Sequence, residues 1–276
     1  MEGQLADISD GSSASGSGAT GSPASPDAGP SDGAAKLAEL IGESSSTVAL
    51  TGAGISVPSG IPDFRTPRTG LWDKVDPMEV AHIDAFRSDP ARFWGFYRPR
   101  FQSLGDKQPN AAHRALAELE SRGLLEAVIT QNIDMLHVKA GSERVVEVHG
   151  SIRTSSCQEC GAVYGLETVE ALFDEAGVAV CSSCEGPVKP DVVLFGEMLD
   201  SAAIAEAERL AAEAELLLCV GSSLEVYPVA GLPSVTRARG GELAIVTKGP
   251  TPFDGDAAVR LDGDVVAEMD SVLAAL

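Results

Sequence analysis

The chain has 276 residues, of which 44% are hydrophobic, enough for one large α/β domain or for a core domain carrying a small insert. Acidic residues outnumber basic ones 41 to 20, and the net charge of −21 excludes a protein whose affinity comes from neutralising phosphates, so no direct nucleic-acid binding is expected. No run approaches the ~20 apolar residues of a membrane span, and the first basic residue is Lys36, so neither a membrane partner nor a signal peptide is expected and the chain reads as cytoplasmic.

Residues 1–34 consist mainly of Gly, Ser, Ala, Pro and Asp, with almost no large apolar side chain after Ile8. Such a segment cannot offset its ordering entropy, and it reads as a disordered, solvated tail. From residue 35 short apolar runs alternate with helical stretches. The first predicted strand, 47–51, leads into Thr51-Gly-Ala-Gly-Ile-Ser56. Its two glycines would let the backbone approach a pyrophosphate, and a following helix N-terminus would offer amide donors. The full G-x-G-x-x-G needs a glycine at Val57, so the loop alone reads equally as a dinucleotide turn or a plain tight turn. Residues 110–122 place Ala112, Leu116 and Leu119 on one helical face and stop at Gly123. Predicted strands at 127–130 and 145–149 end on Thr130-Gln-Asn-Ile-Asp134 and His149-Gly150.

Residues 151–190 break this rhythm, with four of the five cysteines and few apolar runs. Cys157-x-x-Cys160 and Cys181-x-x-Cys184 have the spacing of a four-thiolate zinc site, which is closed and therefore structural. Two disulfides or a redox dithiol are the alternatives, and disulfides are disfavoured in a chain without a secretion signal. Further strands are expected at 191–195, 216–221 and 243–247, with a helix at 202–215 and Cys219 as a core residue. Runs apolar throughout, alternating with helices, predict a doubly wound, Rossmann-like, mostly parallel sheet formed by 35–150 and 191–276, with 151–190 as a small inserted zinc-binding domain. Ligands are expected beyond the carboxyl ends of the strands.

Taken in order, Gly52-Ala-Gly-Ile-Ser56, Gly60-Ile-Pro-Asp-Phe-Arg65, Thr130–Asp134, His149-Gly150, the paired cysteine knuckles, Val193-Leu-Phe-Gly-Glu197 and Gly221-Ser-Ser-Leu-Glu-Val-Tyr-Pro228 resemble the sirtuin family of NAD-dependent protein deacylases. The resemblance implies transfer of an acyl group from lysine to the ADP-ribose part of NAD, releasing nicotinamide and 2′-O-acyl-ADP-ribose. It also implies that Gly52, Ala53, Gly54 and Ser56 line the pyrophosphate, that Asp63, Phe64, Arg65 and Trp72 belong to the cofactor loop, and that Phe64 shields the reacting ribose. Gln131 would meet the nicotinamide ribose, while Asn132, Ile133 and Asp134 would form the nicotinamide pocket, Asn132 taking part in catalysis. His149 would be the general base that takes a ribose hydroxyl proton, a task suited to imidazole near neutral pH. Gly221, Ser222 and Ser223 would hold the adenosine end. Thr247 stands where the family usually has Asn, and Val265 or Val266 would pack on adenine. Val193, Phe195, Gly196 and Glu197 would pair with the substrate's main chain as an added strand. The implied partners are acylated-lysine proteins or peptides and NAD, with one structural zinc.

Phe96-Tyr-Arg-Pro-Arg100 resembles the sirtuin branch that removes succinyl and malonyl groups. Tyr97 and Arg100 fall on one face of a helical turn, where a guanidinium fork and a phenol suit an acyl carboxylate. Ala81 stands where that branch uses a small residue to widen the acyl pocket. The plainer reading makes Arg98 and Arg100 solvated charges and Tyr97 ordinary packing, with Pro99 kinking or ending the helix. Asp63 is the form common among ordinary deacetylases, so acetyl removal is expected alongside. The alternatives are mono-ADP-ribosyl transfer and a non-catalytic NAD or ADP-ribose sensor. The acidic surplus, with only six lysines, resembles the composition of proteins from salt-accumulating halophiles, here haloarchaea. At molar salt the Debye length is about 3 Å, so net charge carries no substrate preference.

Overall fold

The computed structural model describes residues 31–62 and 76–276. The chain enters through helix α1 (Asp32–Glu43), whose first turn is capped by the Ser31 side chain accepting from the Ala34 amide. Composition places 31–34 in the tail, but Ala34 is wholly buried with Leu37 and Ile41, and burial against the sheet outweighs the low propensity of the flanking Ser and Gly.

The core is a six-stranded, all-parallel sheet in the order β3 (Val145–Glu147), β2 (Ala127–Thr130), β1 (Thr47–Thr51), β7 (Leu216–Val220), β8 (Glu242–Val246) and β9 (Val259–Leu261). Alternation along each central strand feeds two cores. Ala49, Val128, Leu218 and Ala244 face α1, α5 (Ala111–Ser121) and α10 (Val265–Ala275). Val48, Leu50, Ile129, Leu217 and Cys219 face α8 (Ser201–Glu213) and α9 (Leu232–Ala238). Strands covered on both faces read as continuous apolar runs, which is why the sequence located them. The edge strand β9 has only three residues and gives no such run.

A three-stranded antiparallel sheet, β4 (Gly150–Cys157), β5 (Val163–Gly165) and β6 (Val188–Val192), carries the cysteines. Here the strand expected at 191–195 is displaced. β6 pairs with β4 and is an edge strand, where Pro190 removes no needed ladder donor, and 193–197 form the crossing back to the main sheet. The small sheet packs through Ile152, Val188 and Val192 on Trp94, Tyr97 and Phe101 of α4 (Pro90–Asp106). That helix continues through Pro99 to Asp106, so Pro99 does not end it. The short helices α2 (Pro77–Val80) and α3 (Ile83–Ser88) precede it, while α6 (Leu136–Ala140) follows β2 and α7 (Leu166–Val169) follows β5. Among the described residues no helix is long and apolar enough to cross a membrane.

Candidate active site

The strand order reverses between β1 and β7, and the loops leaving their carboxyl ends meet at this switch point. The Gly54 amide donates to the Gly221 carbonyl at 2.8 Å, and a Cβ on Gly54 would lie 2.7 Å from that oxygen. Gly221 itself has φ of 64°. The glycines therefore serve first to let two backbones touch, and the helix expected to follow is a 3₁₀ turn (Ala53–Ser59). Gln131 extends from the end of β2 and donates to Ser222 Oγ at 3.0 Å, tying a third loop to the same point. Ser223 is exposed, and Thr247 is buried at the end of β8. Val265 belongs to the core, leaving Val266 half-buried beside it.

Below these loops lies a buried polar floor. Ser56 donates to Asp134 Oδ2 at 2.6 Å, and the Leu136 amide donates to Asp134 Oδ1 at 2.9 Å. Asn132 Nδ2 donates to the Gly52 carbonyl and to Ser56 Oγ, at 3.1 and 3.2 Å. Burial raises the Asp134 pKa, opposed by the Ser56 hydroxyl. A carboxylate has about four lone-pair positions, so Asp134 retains acceptor capacity for a carboxamide donor.

His149 follows β3, and its Nδ1 lies 3.0 Å from the Gln131 carbonyl. A carbonyl only accepts, so this contact fixes the proton on Nδ1 and leaves Nε2 with its lone pair. Burial holds the imidazole below its ordinary pKa, partly offset by that hydrogen bond.

Sequence reasoning named His113 and His137 but missed the network around them. The Asn110 amide donates to His113 Nδ1, and His113 Nε2 lies 3.4 Å from Ser56 Oγ. His137 Nε2 lies 2.9 Å from Thr51 Oγ1, which donates to Thr130 Oγ1 at 2.8 Å. The rings are 4.9 Å apart, and burial pushes them down to about 4 for His113 and about 3 for His137. A polar Thr closing each of two apolar strands was the available signal.

The residues expected at the acyl and peptide side divide. The Phe195 amide donates to the Ala81 carbonyl at 2.8 Å and the Ile83 amide to the Phe195 carbonyl at 2.9 Å, so buried Ala81 abuts the 193–197 crossing. The Val193 amide donates to the His149 carbonyl at 2.9 Å, joining that crossing to the histidine's own backbone. Tyr97 stacks on Phe93 and Phe101, and burial pushes its phenol up to about 12. Arg100 lies 3.5 Å over the Phe96 ring and donates to the Phe96 carbonyl. Arg98 is paired with Glu170 rather than solvated alone. Ile133 is half-buried, and its carbonyl accepts from the Ile152 amide at 3.1 Å. Asp63, Phe64, Arg65 and Trp72 lie outside the described residues.

The four cysteine sulfurs lie within 4.8 Å of one another, with Cys157–Cys184 at 3.4 Å and Cys160–Cys181 at 3.6 Å. A tetrahedron of ~2.3 Å Zn–S bonds has edges of about 3.8 Å, whereas a disulfide needs about 2.05 Å. The cluster therefore fits one structural zinc and is not a pair of disulfides. The Glu159 and Ser183 amides and the Tyr164 hydroxyl point at the sulfurs, as second partners of thiolates do.

The profile of the Sir2 family matches residues 52–228. An NAD-dependent protein deacetylase of Saccharolobus solfataricus is 47% identical over 222 residues, covering 80% of this chain and 88% of its own. One of Thermotoga maritima is 46% identical over 228 residues, covering 83% and 92%. A solved Sir2 complex with p53 peptide and NAD+ superposes with a TM-score of 0.80 at 43% identity, covering 86% of this chain and 96% of that one.

Proposed function

The chain belongs to the Sir2 family, and we propose that it is an NAD-dependent protein lysine deacylase that yields nicotinamide, free lysine and 2′-O-acyl-ADP-ribose. The observation that carries this reading is the His149 tautomer: Nδ1–H is held by the carbonyl of Gln131, at the head of the 131–134 loop, so Nε2 keeps its lone pair as a base. A sensor has no need of such a base.

Bound NAD supplies the ADP-ribosyl group that takes up the acyl group, with nicotinamide as leaving group. Gly52, Ala53, Gly54, Gly221 and Ser222 would line its phosphates and adenosine end, the glycines by allowing close backbone approach, since their own amides bond the Val220, Gly221 and Val246 carbonyls, and Ser222 through its hydroxyl. Asp134, fixed by Ser56 and the Leu136 amide, would accept from the carboxamide, and Asn132 is held by Gly52 and Ser56 at the same floor. Gln131 would meet the nearer ribose. His149 Nε2 takes up a ribose hydroxyl proton, a transfer for which its lowered pKa keeps the ring neutral at pH 7. Val193, Phe195, Gly196 and Glu197 receive the peptide main chain. Four thiolates side by side suit a reducing compartment, which supports a cytoplasmic location.

A finer reading concerns the acyl group. Tyr97 and Arg100 share α4, and Tyr97 belongs to the same buried cluster as Ala81, which supports removal of succinyl or malonyl groups as well as acetyl, with Arg100 leaving Phe96 to meet the acyl carboxylate. The test is a mass-spectrometric assay at high potassium chloride, chosen for the acidic composition, with NAD and matched acetyl- and succinyl-lysine peptides. Succinyl turnover lost on Arg100→Met supports the finer reading, and acetyl turnover alone refutes it. No O-acyl-ADP-ribose from either peptide, with ADP-ribose attached to protein, would replace deacylation by ADP-ribosyl transfer.

A further inference from the structure

The 193–197 crossing belongs to neither sheet, so its conformation must be held by other means. Its turn closes with the Glu197 amide donating to the Leu194 carbonyl at 3.0 Å and the Leu194 amide donating back to Glu197 Oε2 at 2.9 Å. Gly196 sits inside that turn at φ of 84°, with the His82 ring so close that a Cβ would lie 2.6 Å from Nε2. Behind the turn is Lys189, on β6, with a side chain only 8% exposed. Its ammonium donates to the Pro190 carbonyl at 3.0 Å, the Val192 carbonyl at 2.9 Å and Glu197 Oε2 at 3.0 Å. An ammonium has three donors, and all three are used here. The partners lie on both sides of residue 193, so a single buried cation gathers the end of β6 and the far end of the crossing into one rigid unit.

A buried lysine carries a large desolvation cost and persists where its geometry is needed. Methionine would fill the same volume without that cost, so packing alone does not call for a charge at this position. We propose that Lys189 is a positioning residue for the acyl-peptide: through Glu197 and the two carbonyls it sets the backbone of 193–197 in the conformation that pairs with the substrate main chain. This rests on the deacylase reading above. The polar partners of Lys189 are Pro190, Val192 and Glu197, none of them in the 52–56, 131–134 or 221–223 loops, so its effect is expected on the peptide and not on NAD.

The test compares wild type, Lys189→Met, Lys189→Arg and Glu197→Gln in steady-state kinetics with acetyl-lysine peptide and NAD, together with peptide binding by calorimetry and thermal melting. Lys189→Met is expected to raise the peptide KM and Kd about tenfold or more, the scale of one lost charge-assisted contact, with kcat and the NAD KM changed less than about twofold. Lys189→Arg, which retains the cation, is expected to recover most of the peptide affinity. Glu197→Gln keeps an acceptor for the Leu194 amide and is expected to show an intermediate KM, so the proposal stands or falls on it if Lys189→Met does not fold. A lower melting temperature with unchanged peptide KM, or a fall in kcat alone, would overturn the proposal by making Lys189 merely structural. A wild type that neither binds nor turns over acyl-peptide would instead overturn the deacylase reading, and this inference with it.

Discussion

Acidification is expected to destabilise this protein through the two histidines beneath its active site. His113 is fully buried and His137 is 2% exposed, so solvent does not screen either. Both pKa values are depressed by burial, from 6.5 to about 4 for His113 and about 3 for His137. Below pH 6.5 the unfolded chain binds protons that the folded chain refuses, so stability is full above 6.5 and is lost as pH falls. Between 6.5 and its own folded pKa each group costs about 1.4 kcal/mol per pH unit, and between pH 7 and 5 each contributes a loss of about 2 kcal/mol. Together they remove about 4 kcal/mol, a large share of a typical stability of about 5–15 kcal/mol. Protonating His113 Nδ1 removes the acceptor for the Asn110 amide, and protonating His137 Nδ1 places a charge on an atom with no partner. Urea unfolding at fixed potassium chloride, at pH 7 and pH 5, tests this with wild type, His113→Gln and His137→Gln. The zinc cluster is common to all three proteins, so its own titration cancels in the comparison. Each variant is expected to lose about 2 kcal/mol less than wild type between the two pH values. Parallel losses in all three would refute the reasoning.

His149→Ala is expected to lower turnover at least a hundredfold while NAD still binds by calorimetry, and retained turnover would remove its role as base. Because burial lowers the His149 pKa, the acid limb of kcat/KM for the wild type is expected below pH 6.5, and a limb above 7 would contradict the geometry. Metal analysis is expected to give about one zinc per chain, and chelation should disorder the small sheet and abolish activity, since β6 leads directly into the 193–197 crossing. A folded, active, zinc-free preparation would count against this. Gly54→Ala drives a Cβ against the Gly221 carbonyl and is expected to cost about 1–3 kcal/mol in unfolding experiments and to weaken NAD binding. Unchanged stability would show that the two loops separate easily.

Much of the fold was legible in the sequence because its cause is local. Strands buried on both faces must be apolar throughout, so β1, β2 and β7 stood out, and helix α5 announced itself through Ala112, Leu116 and Leu119 on one face and its stop at Gly123. Four cysteines in two knuckles pointed to a metal site by chemistry and spacing, and the sulfur separations then excluded disulfides. The order of motifs also pointed to the 52–56, 131–134, 149 and 221–223 loops. What the sequence left open depends on which segments meet. The apolar run at 191–195 carries no mark of which sheet it joins, and its division between β6 and the crossing follows from pairing with β4. That Arg100 rests on the Phe96 ring and carbonyl, from which it would have to turn to meet an acyl carboxylate, is likewise set by packing. The tautomer of His149, the paired burial of His113 and His137, and the three partners of Lys189 are contacts across 18, 24 and up to 8 residues respectively. Tertiary packing alone brought those groups together, because burial and hydrogen-bond direction belong to the assembled site and not to any one segment of chain.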